Sequence, residues 1–363
     1  MLRQTQLYNT HLEMGVKMVP FASWEMPLRY TNQIEEHLKT RQGAGLFDIG
    51  HMSLLKISGN GALEFLQKVS TNNAEKLPVG KVQYSLLLNP TGGVIDDILV
   101  YRLKDHYLVV SNASNAEKVW GWFAQNKVKQ LSIEDLKKKF TLISLQGPLA
   151  ERILQPLIAP FDLSSLNSYW ITQVNINGQE LLISRTGYTG EDGFELYLPN
   201  TAALSLWSAI LESGGKEILP CGLAARDTLR LEAALPLYGQ EYDDNITPLE
   251  AGYGWAVDFD KDFIGRTALL KQKKSGPTKQ LVGIAPRDRV IPRSTYRIMP
   301  QDSFEIVGMV TSGTLSPTLN IPIGLAYVRR ETIEQKIPLA VEVREQFYPI
   351  DIVPIPFYKK KRR

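Results

Sequence analysis

The segment 94–101 constrains the fold most, because it is apolar on both faces when it is written as a β-strand. Alternate residues of a strand share a face, so Asp97 lies with Leu99 and Tyr101, whereas Asp96 lies on the other side. A strand of this kind must be covered on both sides. Two adjacent carboxylates are costly to bury there. Either they cap a turn at the start of the strand, or one of them sits in a pocket that handles a cationic or proton-releasing amine.

Length and composition limit the classes of protein that fit. A chain of 363 residues predicts two or three domains. The 41 basic and 38 acidic side chains leave a net charge of +3, which favours an acidic protein partner weakly and does not call for nucleic acid. No run of about 18 apolar residues occurs, so we expect no membrane span. The N-terminal segment lacks a targeting signature, so we expect a cytoplasmic protein.

Common catalytic and cofactor signatures are missing from the sequence. The single cysteine, Cys221, rules out an intramolecular disulfide, and the four widely spaced histidines predict no metal site. Two glycine-rich segments, at 43–48 and 59–64, carry an acidic residue where a dinucleotide fingerprint needs its third glycine. We therefore predict neither a metal centre nor a Rossmann domain.

Periodicity and turn residues predict a mixture of helices and strands. A helix over 201–213 is expected to bury Leu204, Trp207 and Leu211, and 271–280 reads as a linker. The other predicted helices cover 33–42, 61–69 and the start of 221–233. The predicted strands cover 82–88, 94–103, 107–110, the segment from Phe140, 194–198, 304–311, 324–329 and 339–343.

Two further segments carry candidate site residues. Residues 186–195 hold three glycines at spacing three before a strand, and Glu195 is either a surface carboxylate or part of a site. Arg226 and Arg230 lie four apart and share a helix face. Such a pair is either a structural ion-pair element or a clamp for a planar, polar ligand, because guanidinium offers a bidentate donor fork.

Six segments together resemble one family, the aminomethyltransferase or T-protein of the glycine cleavage system. The resemblance covers nearly the whole chain, and its specificity comes from the order and spacing of all six. The segments are FASWEMPLRY (21–30), GLFDIGHM (45–52), GGVIDDILVY (92–101), SRTGYTGEDGFELY (184–197), CGLAARDTLRLEAALPLYGQE (221–241) and TSGTLSPTL (311–319).

The resemblance implies an α+β fold with three domains in a cloverleaf-like arrangement. Mixed and antiparallel sheets with helices, and a strand-rich, barrel-like C-terminal domain, would surround folate in a central cavity. The implied first domain is discontinuous, 1–50 plus 140–245, and binds folate. The second, 51–139, is inserted and carries Asp97, and the third is 246–363.

The resemblance also implies roles for individual residues. Asp97 is similar to the family's essential aspartate beside the folate ring nitrogens, which favours the pocket over the turn cap. Glu195 and Arg226 resemble groups that bind folate. The site would be lined by Tyr84, Tyr101, Tyr188, Asn112 and Met52.

The implied reaction moves a methylene unit from the aminomethyl-lipoyl carrier, the H-protein, to tetrahydrofolate. Folate nitrogen attacks the aminomethyl carbon, ammonia leaves, and the lipoyl sulfur is freed as a thiol. The products are 5,10-methylenetetrahydrofolate and the dihydrolipoyl carrier. Tetrahydrofolate is thus a co-substrate, and the resemblance implies neither metal nor flavin.

Departures from the family pattern and two rival families define the alternatives. The family's Ser-His-Met-Gly-Glu is 50-GHMSL-54 here, its Thr-Asn-Asp is 71-TNN-73, and Ser23 replaces a glycine, so the local pocket shape differs. Flavin-linked dimethylglycine or sarcosine oxidases add a dinucleotide-binding domain that this chain lacks. Folate-binding iron–sulfur assembly factors carry a Lys-Gly-Cys-Tyr type motif, whereas Cys221 lies in PCGLAAR.

Arg293 is a candidate contact for the carrier. It lies in the arginine-containing stretch 286–297, and the resemblance assigns this stretch to the mouth-facing side of the C-terminal lobe. We expect it to dock the acidic carrier or its lipoyl arm; the alternative is an ordinary solvated face.

Overall fold

A computed structural model describes residues 1–176 and 178–360. The chain divides into two compact units. Unit 1 comprises 1–66, 74–84 and 98–227, and unit 2 comprises 67–73, 85–97 and 228–363. The three-domain division expected above stays a prediction.

Strands dominate both units. They are β1 (Arg3–Gln4), β2 (Lys17–Phe21), β3 (Trp24–Arg29), β4 (Ala44–Asp48), β5 (Ser53–Ser58), β6 (Val82–Leu88), β7 (Val94–Arg102), β8 (His106–Ser111), β9 (Ser132–Asp135), β10 (Phe140–Gln146), β11 (Ile171–Ile176), β12 (Gln179–Ser184), β13 (Gly193–Pro199), β14 (Ile218–Cys221), β15 (Lys279–Pro286), β16 (Arg297–Pro300), β17 (Gly308–Leu315), β18 (Pro322–Arg329), β19 (Leu339–Val343) and β20 (Gln346–Val353).

Helices are short and lie between the strands. They are α1 (Tyr8–Glu13), α2 (Gln33–Gln42), α3 (Ala62–Val69), α4 (Ala116–Asn126), α5 (Ala150–Leu154), α6 (Ala203–Gly214), α7 (Leu223–Glu232), α8 (Arg266–Ser275) and α9 (Arg330–Glu334). Single turns of 3-10 helix cover Ala113–Asn115, Gln155–Leu157, Leu163–Ser165, Asn200–Ala202, Gly215–Glu217 and Gly254–Ala256. Among the described residues, no helix is long and apolar enough to cross a membrane.

The main sheet of unit 1 has six strands in the order β11-β12-β13-β10-β4-β14. Its pairings are antiparallel except for β14, which runs parallel to β4. One face packs on a core to which α5 and α6 contribute Ile153, Leu206, Trp207 and Ile210. The strands add alternate residues such as Ile143, Leu145, Leu181, Ile183, Phe194, Leu196 and Leu198. Because side chains alternate along each strand, the residues on the opposite face of the sheet do not contribute to this core.

Two further sheets complete the first part of the chain. A three-stranded sheet has the order β1-β3-β2, and a five-stranded sheet has the order β6-β7-β8-β5-β9. In the second, β7 pairs antiparallel with β8, so Ile98 lies opposite Ser111 and Tyr101 opposite Leu108. Strand β7 contains the segment 94–101 with its two adjacent aspartates.

Unit 2 contains a closed six-stranded barrel in the order β15-β18-β17-β16-β19-β20. Antiparallel pairing closes it, because β15 bonds both β18 and β20. Closure removes the open sheet edges. Its interior is filled by β-branched and aliphatic side chains, among them Ile284, Ile298, Val310, Val328 and Val341. The α+β class and the barrel-like C-terminal region are thus confirmed.

Local signals located several elements to the residue. Helix α2 begins after Asn32, whose side chain accepts a hydrogen bond from the Glu35 amide at 2.9 Å, and it ends before Gly43. Strand β6 has the predicted bounds, and β7 ends one residue earlier than predicted, at Arg102.

Two predictions were wrong and a third was right only in part. Helix α6 buries Trp207 as predicted and half-buries Leu211, but Leu204 is 54% exposed, and the buried positions include Ala203, Leu206, Ile210 and Gly214. The small residues at 203 and 214 allow close packing, so the buried face is rotated away from Leu204. The supposed linker at 271–280 is mostly the end of α8 and the start of β15, and the strand predicted from Phe304 begins only at Gly308.

A buried polar cluster ties α1 to β4 in unit 1. His11 Nε2 lies 2.9 Å from Asp48 Oδ2, and the Tyr30 hydroxyl lies 2.9 Å from His11 Nδ1. Thr5 Oγ1 and the Gly50 amide donate to the same carboxylate at 2.5 and 2.7 Å. Burial raises the pKa of Asp48, but the hydrogen bonds and the charge of His11 outweigh it, so the pKa is lowered.

We expect His11→Ala to lower the free energy of unfolding by roughly 3 kcal/mol, because it removes one partner of a buried carboxylate. His106→Ala is the matched control: its partner Asp105 is 79% exposed, so the loss should stay below about 1 kcal/mol. Urea unfolding followed by circular dichroism measures both. Equal losses in the two variants would contradict a structural role for the His11 cluster.

Candidate functional site

The face of the six-stranded sheet opposite the core of unit 1 is polar. Phe194 and Leu196 of β13 pack into the core, so Glu195 and Tyr197 lie on the other face. Register puts Ser184 of β12 and Ser144 of β10 directly opposite Glu195. All four of these polar side chains are buried, with at most 8% of their surface exposed. The reading of Glu195 as a surface carboxylate is therefore wrong.

A chain of hydrogen bonds satisfies Glu195. Thr186 Oγ1 donates to Glu195 Oε2 at 2.6 Å, and Ser184 Oγ lies 2.6 Å from Thr186 Oγ1. Burial raises the pKa of Glu195, while Thr186, the charge of Arg226 and the Tyr197 hydroxyl act in the opposite direction. Burial dominates, so the pKa of Glu195 is raised overall, and the charged form is favoured by one strong donor and one nearby cation.

Tyr101 joins the same polar face. The Tyr197 hydroxyl donates to the Tyr101 oxygen at 2.5 Å, and the two rings meet edge to face with centroids 5.4 Å apart. Burial, together with the charge of Glu195, raises the pKa of Tyr101. Tyr101 therefore stays a neutral phenol, fixed by its partner, at the edge of the Glu195 cluster.

The loop between β12 and β13 is pinned by buried side chains. Arg41 Nη1 donates to the Thr189 carbonyl at 2.7 Å and to Glu191 Oε1 at 3.0 Å. Gln146 Nε2 donates to the Thr186 carbonyl at 3.1 Å, and Thr189 Oγ1 donates back to Gln146 Oε1 at 3.0 Å. The loop that carries Tyr188 is therefore held at both of its ends.

Arg226 lies on α7, whose start is fixed by Glu36. The buried Glu36 carboxylate accepts from the Gly222 amide at 2.8 Å and from the Tyr30 amide at 2.6 Å. No larger residue fits at Gly222, because a Cβ there would lie 2.3 Å from the Leu28 carbonyl oxygen. One turn later, the Arg226 guanidinium carbon lies 4.7 Å from the Tyr188 ring centroid, within range of a cation–π contact.

Two buried polar atoms in this region have no hydrogen-bond partner within the described residues: Arg226 Nη1 and His51 Nδ1. His51 is 3% exposed and packs edge to face on Phe21 at 5.6 Å. Burial and the neighbouring charge of Arg226 lower the pKa of His51 to about 3, so the imidazole is neutral. Buried polar groups in folded proteins are satisfied as a rule, and unsatisfied ones call for an explanation.

The turn that holds His51 is itself rigid. Its Gly50 amide donates to Asp48, and its Gly50 carbonyl accepts from Lys137 Nζ. The Met52 amide closes the turn on the Ile49 carbonyl at 3.0 Å. The departures from the family pattern at 50–54 thus fall on a well-ordered turn.

The aspartates of β7 differ in burial. Asp96 is fully buried with Ile98 and Val100, whereas Asp97 is half-buried, as is Leu99 two residues on. Burial thus alternates over 96–99, whereas Ile95 and Tyr101 on the Asp97 face are buried, as expected for a strand that is covered on both sides.

The structure brings four of the predicted site residues together: Glu195, Arg226, Tyr188 and Tyr101. Tyr84, Asn112 and Met52 are each half-buried, and their place in a folate site stays a prediction. Arg293 is exposed, and its Nη1 donates to the Gly313 carbonyl at 3.4 Å.

The sequence left two roles open for the arginines of α7, a structural ion pair or a ligand clamp, and the structure distinguishes Arg230 from Arg226. Arg230, in unit 2, donates to Glu241 Oε2 at 3.0 Å and to Ser312 Oγ at 2.8 Å, and both acidic and basic groups are buried. Arg230 is thus a structural ion-pair residue. Arg226 retains an unpartnered Nη1, as a ligand clamp would.

Comparison with known proteins decides the family. Residues 7–261 match the family model described as the GCVT N-terminal domain, and residues 279–359 match the glycine cleavage T-protein C-terminal barrel domain. The chain belongs to the glycine cleavage T-protein family. Residues 279–359 of this match span all six strands of the closed barrel.

Relatives of the T-protein family match along the full length. The chain is 46% identical to the aminomethyltransferase of Symbiobacterium thermophilum, over 100% of this chain and 99% of that protein. It is 45% identical to the aminomethyltransferase of Geobacillus kaustophilus, over 100% of each. The crystal structure of the glycine cleavage system aminomethyltransferase T from Bartonella henselae matches with a TM-score of 0.91 and 34% identity, covering 99% of both chains. The predicted function, aminomethyl transfer in glycine cleavage, is thereby confirmed.

Sequence reasoning missed Thr186, Ser184 and His51. A usable signal existed for Ser184, which ends the apolar run of β12, and for its neighbour β10, in which Ser144 and Gln146 alternate with Leu145. Fully buried polar residues at strand spacing indicate a functional face. His51 had no comparable signal, because its burial depends on residues distant in sequence.

Proposed function

We propose that this aminomethyltransferase uses tetrahydrofolate as its acceptor and that Glu195, Arg226, Tyr188 and Tyr101 bind the folate ring. The observation that carries the proposal is the unpartnered Arg226 Nη1 beside a buried, hydrogen-bonded Glu195. An aminopyrimidinone ring offers N–H donors next to a carbonyl oxygen. A carboxylate complements the donors and a guanidinium complements the carbonyl.

The aromatic groups supply the apolar part of such a site. The Tyr188 ring lies within cation–π range of Arg226, and an aromatic ring and a planar guanidinium are both groups that stack on flat heterocycles. Tyr101 and its partner Tyr197 form a fixed wall on the polar face of the sheet. The neutral His51, with its unpartnered Nδ1, adds one more polar contact. The residues present therefore fit a flat, polar heterocycle.

Asp97 is the proposed catalytic residue, on the strength of the family resemblance and of its half-buried side chain on β7, in contrast to the fully buried Asp96. Methylene transfer breaks the carbon–sulfur bond of the aminomethyl-lipoyl group and releases ammonia. The carbon bonds the folate nitrogens, and the sulfur leaves as a thiol. Positive charge develops on the one-carbon unit as ammonia departs, so an ionised carboxylate stabilises the transition state.

The proposed partner is the lipoylated H-protein, which delivers the aminomethyl group. Arg293 is our candidate contact, since its side chain is exposed and donates a long hydrogen bond of 3.4 Å to the Gly313 carbonyl. An exposed cation adds mainly to the association rate with an acidic partner, and salt screens the effect.

We expect Glu195→Gln and Arg226→Met each to weaken tetrahydrofolate binding by about 1.5–3 kcal/mol, because each loses a charge-assisted hydrogen bond. Isothermal titration calorimetry measures the change. Glu180→Gln is the matched control, an exposed glutamate on β12, and should bind normally. Unchanged affinity in both site variants would remove Glu195 and Arg226 from the folate site.

We expect Asp97→Asn to lower turnover at least about a hundredfold, in the range typical of electrostatic or general-base groups, with thermal stability near wild type. The assay is carrier-dependent formation of methylenetetrahydrofolate. Asp96→Asn, at the fully buried position, should reduce stability more than turnover per folded molecule. A folded Asp97→Asn enzyme with near-normal turnover would rule out Asp97 as the catalytic residue.

We expect Arg293→Ala to raise the KM for the loaded carrier by several-fold at low salt and to have little effect at high salt. Steady-state assays at the two salt concentrations measure this, with saturating folate in both. Arg287→Ala is the control, because Arg287 is already paired with Asp351 at 2.8 Å. If Arg293→Ala behaved like wild type at low salt, carrier docking there would be refuted.

A further inference from the structure

The folate site proposed above depends on an ionised Glu195, and the structure shows how that charge is supported. Glu195 is 8% exposed, and its Oε2 receives a hydrogen bond of 2.6 Å from Thr186. Behind Thr186 stands Ser184, which is fully buried and 2.6 Å away. All three residues are buried, with at most 8% of their surface exposed, so most of the hydrogen-bond donors must come from the protein.

The direction of the hydrogen bonds between Ser184, Thr186 and Glu195 follows from the charge of the carboxylate. An ionised carboxylate only accepts hydrogen bonds, so the Thr186 hydroxyl must give its proton to Glu195. The Thr186 oxygen is then free to accept, and the Ser184 hydroxyl donates to it. Each bond polarises the next, so the chain strengthens the last donor. The backbone supports the geometry, because Ser184 lies directly opposite Glu195 in the β12–β13 register.

We propose that Thr186 is a positioning residue for tetrahydrofolate binding: it holds Glu195 ionised and in place through a hydroxyl chain that begins at Ser184. The inference rests on the folate-binding role proposed for Glu195. It adds a residue outside that ligand-contacting set, which acts only through the carboxylate. Thr186 is fixed from its other side by Gln146, which donates to its carbonyl at 3.1 Å.

The other ionisable groups around Glu195 keep one protonation state, so Glu195 is the group that takes up a proton as the pH falls. Arg226 stays charged, as arginine side chains do in proteins. Burial raises the pKa values of Tyr101, Tyr197 and Tyr169, so these phenols remain neutral. His51, next to Arg226, is neutral as well, because its pKa is lowered to about 3.

The direction in which loss of the Thr186 hydroxyl changes the pKa of Glu195 follows from these contacts. A hydrogen bond to the charged form lowers a carboxyl pKa, and its removal raises that pKa. Without the Thr186 hydroxyl, Glu195 takes up a proton at a higher pH than in the wild type. Folate affinity that needs the ionised carboxylate should therefore decline earlier as the pH falls, and should recover in part as the pH rises.

The test compares Thr186→Val with Thr186→Ser by calorimetric titration of tetrahydrofolate, kept anaerobic, across pH 5.5 to 8.5. Thr186→Val keeps the shape and removes the donor, so we expect about tenfold weaker binding at neutral pH and an acidic limb shifted to higher pH. Thr186→Ser keeps the hydroxyl and should restore the wild-type profile. A merely structural role would weaken binding equally at every pH.

Two further variants distinguish failure of the folate role of Glu195 from failure of the Thr186 inference. Ser184→Ala removes the outer donor and should shift the acidic limb in the same direction by a smaller amount, and it stands in if Thr186→Val does not fold. Glu195→Gln should bind weakly and lose the acidic limb. If Glu195→Gln binds normally, the proposed folate role of Glu195 is wrong. If Glu195→Gln binds weakly but Thr186→Val and Ser184→Ala keep the wild-type profile, the Thr186 inference alone is overturned.

Discussion

The burial of the Glu195 carboxylate is the constraint on which the candidate site depends. Removing such a charge from water costs several kcal/mol unless hydrogen bonds and an opposite charge offset it. The structure meets this cost with the hydroxyl of Thr186 and the charge of Arg226. Thr186 is in place only because Gln146 and Arg41 fix the loop that follows it. One buried charge thus has groups placed around it by three elements: the polar face of the sheet, the loop between β12 and β13, and the start of α7.

The arginines of α7 show what distinguishes a structural ion pair from a binding group. Arg230 has its bonds to Glu241 and Ser312, so its guanidinium is satisfied inside the protein. Arg226 has a nearby carboxylate charge but no hydrogen-bond partner for Nη1 in the described chain. A buried donor without a partner costs about 1–3 kcal/mol, and a ligand oxygen would remove that cost. Helix spacing alone could not separate the two residues, because both lie on one face.

The sequence predicted elements whose signals are local and missed features that depend on distant partners. Helix α2 has its predicted bounds, and the groups that mark its ends are local: Asn32 caps its start and Gly43 follows its last residue. The prediction that Leu204 belongs to the buried face of α6 was wrong. It followed the apolar character of Leu204, whereas the helix packs through the small residues at 203 and 214. The burial of Glu195 was missed because its neighbours in the sheet come from β10 and from the end of β12. The local sequence pattern does not show which strands pair with each other.

The chemistry of the site follows from placement rather than from an activated nucleophile. Cys221 is sealed in the core, where its thiol lies 3.6 Å from the Glu36 carbonyl, and burial raises the pKa of that thiol. A thiol in that setting is a poor nucleophile. In aminomethyl transfer the attacking nitrogen and the leaving sulfur both belong to substrates, so the protein need only hold them in line and stabilise the charge that develops. Orientation alone is worth about 7–11 kcal/mol of barrier in favourable intramolecular reactions. A loop held by buried side chains, a hydrogen-bonded carboxylate and a guanidinium beside an aromatic ring are features that suit such a reaction.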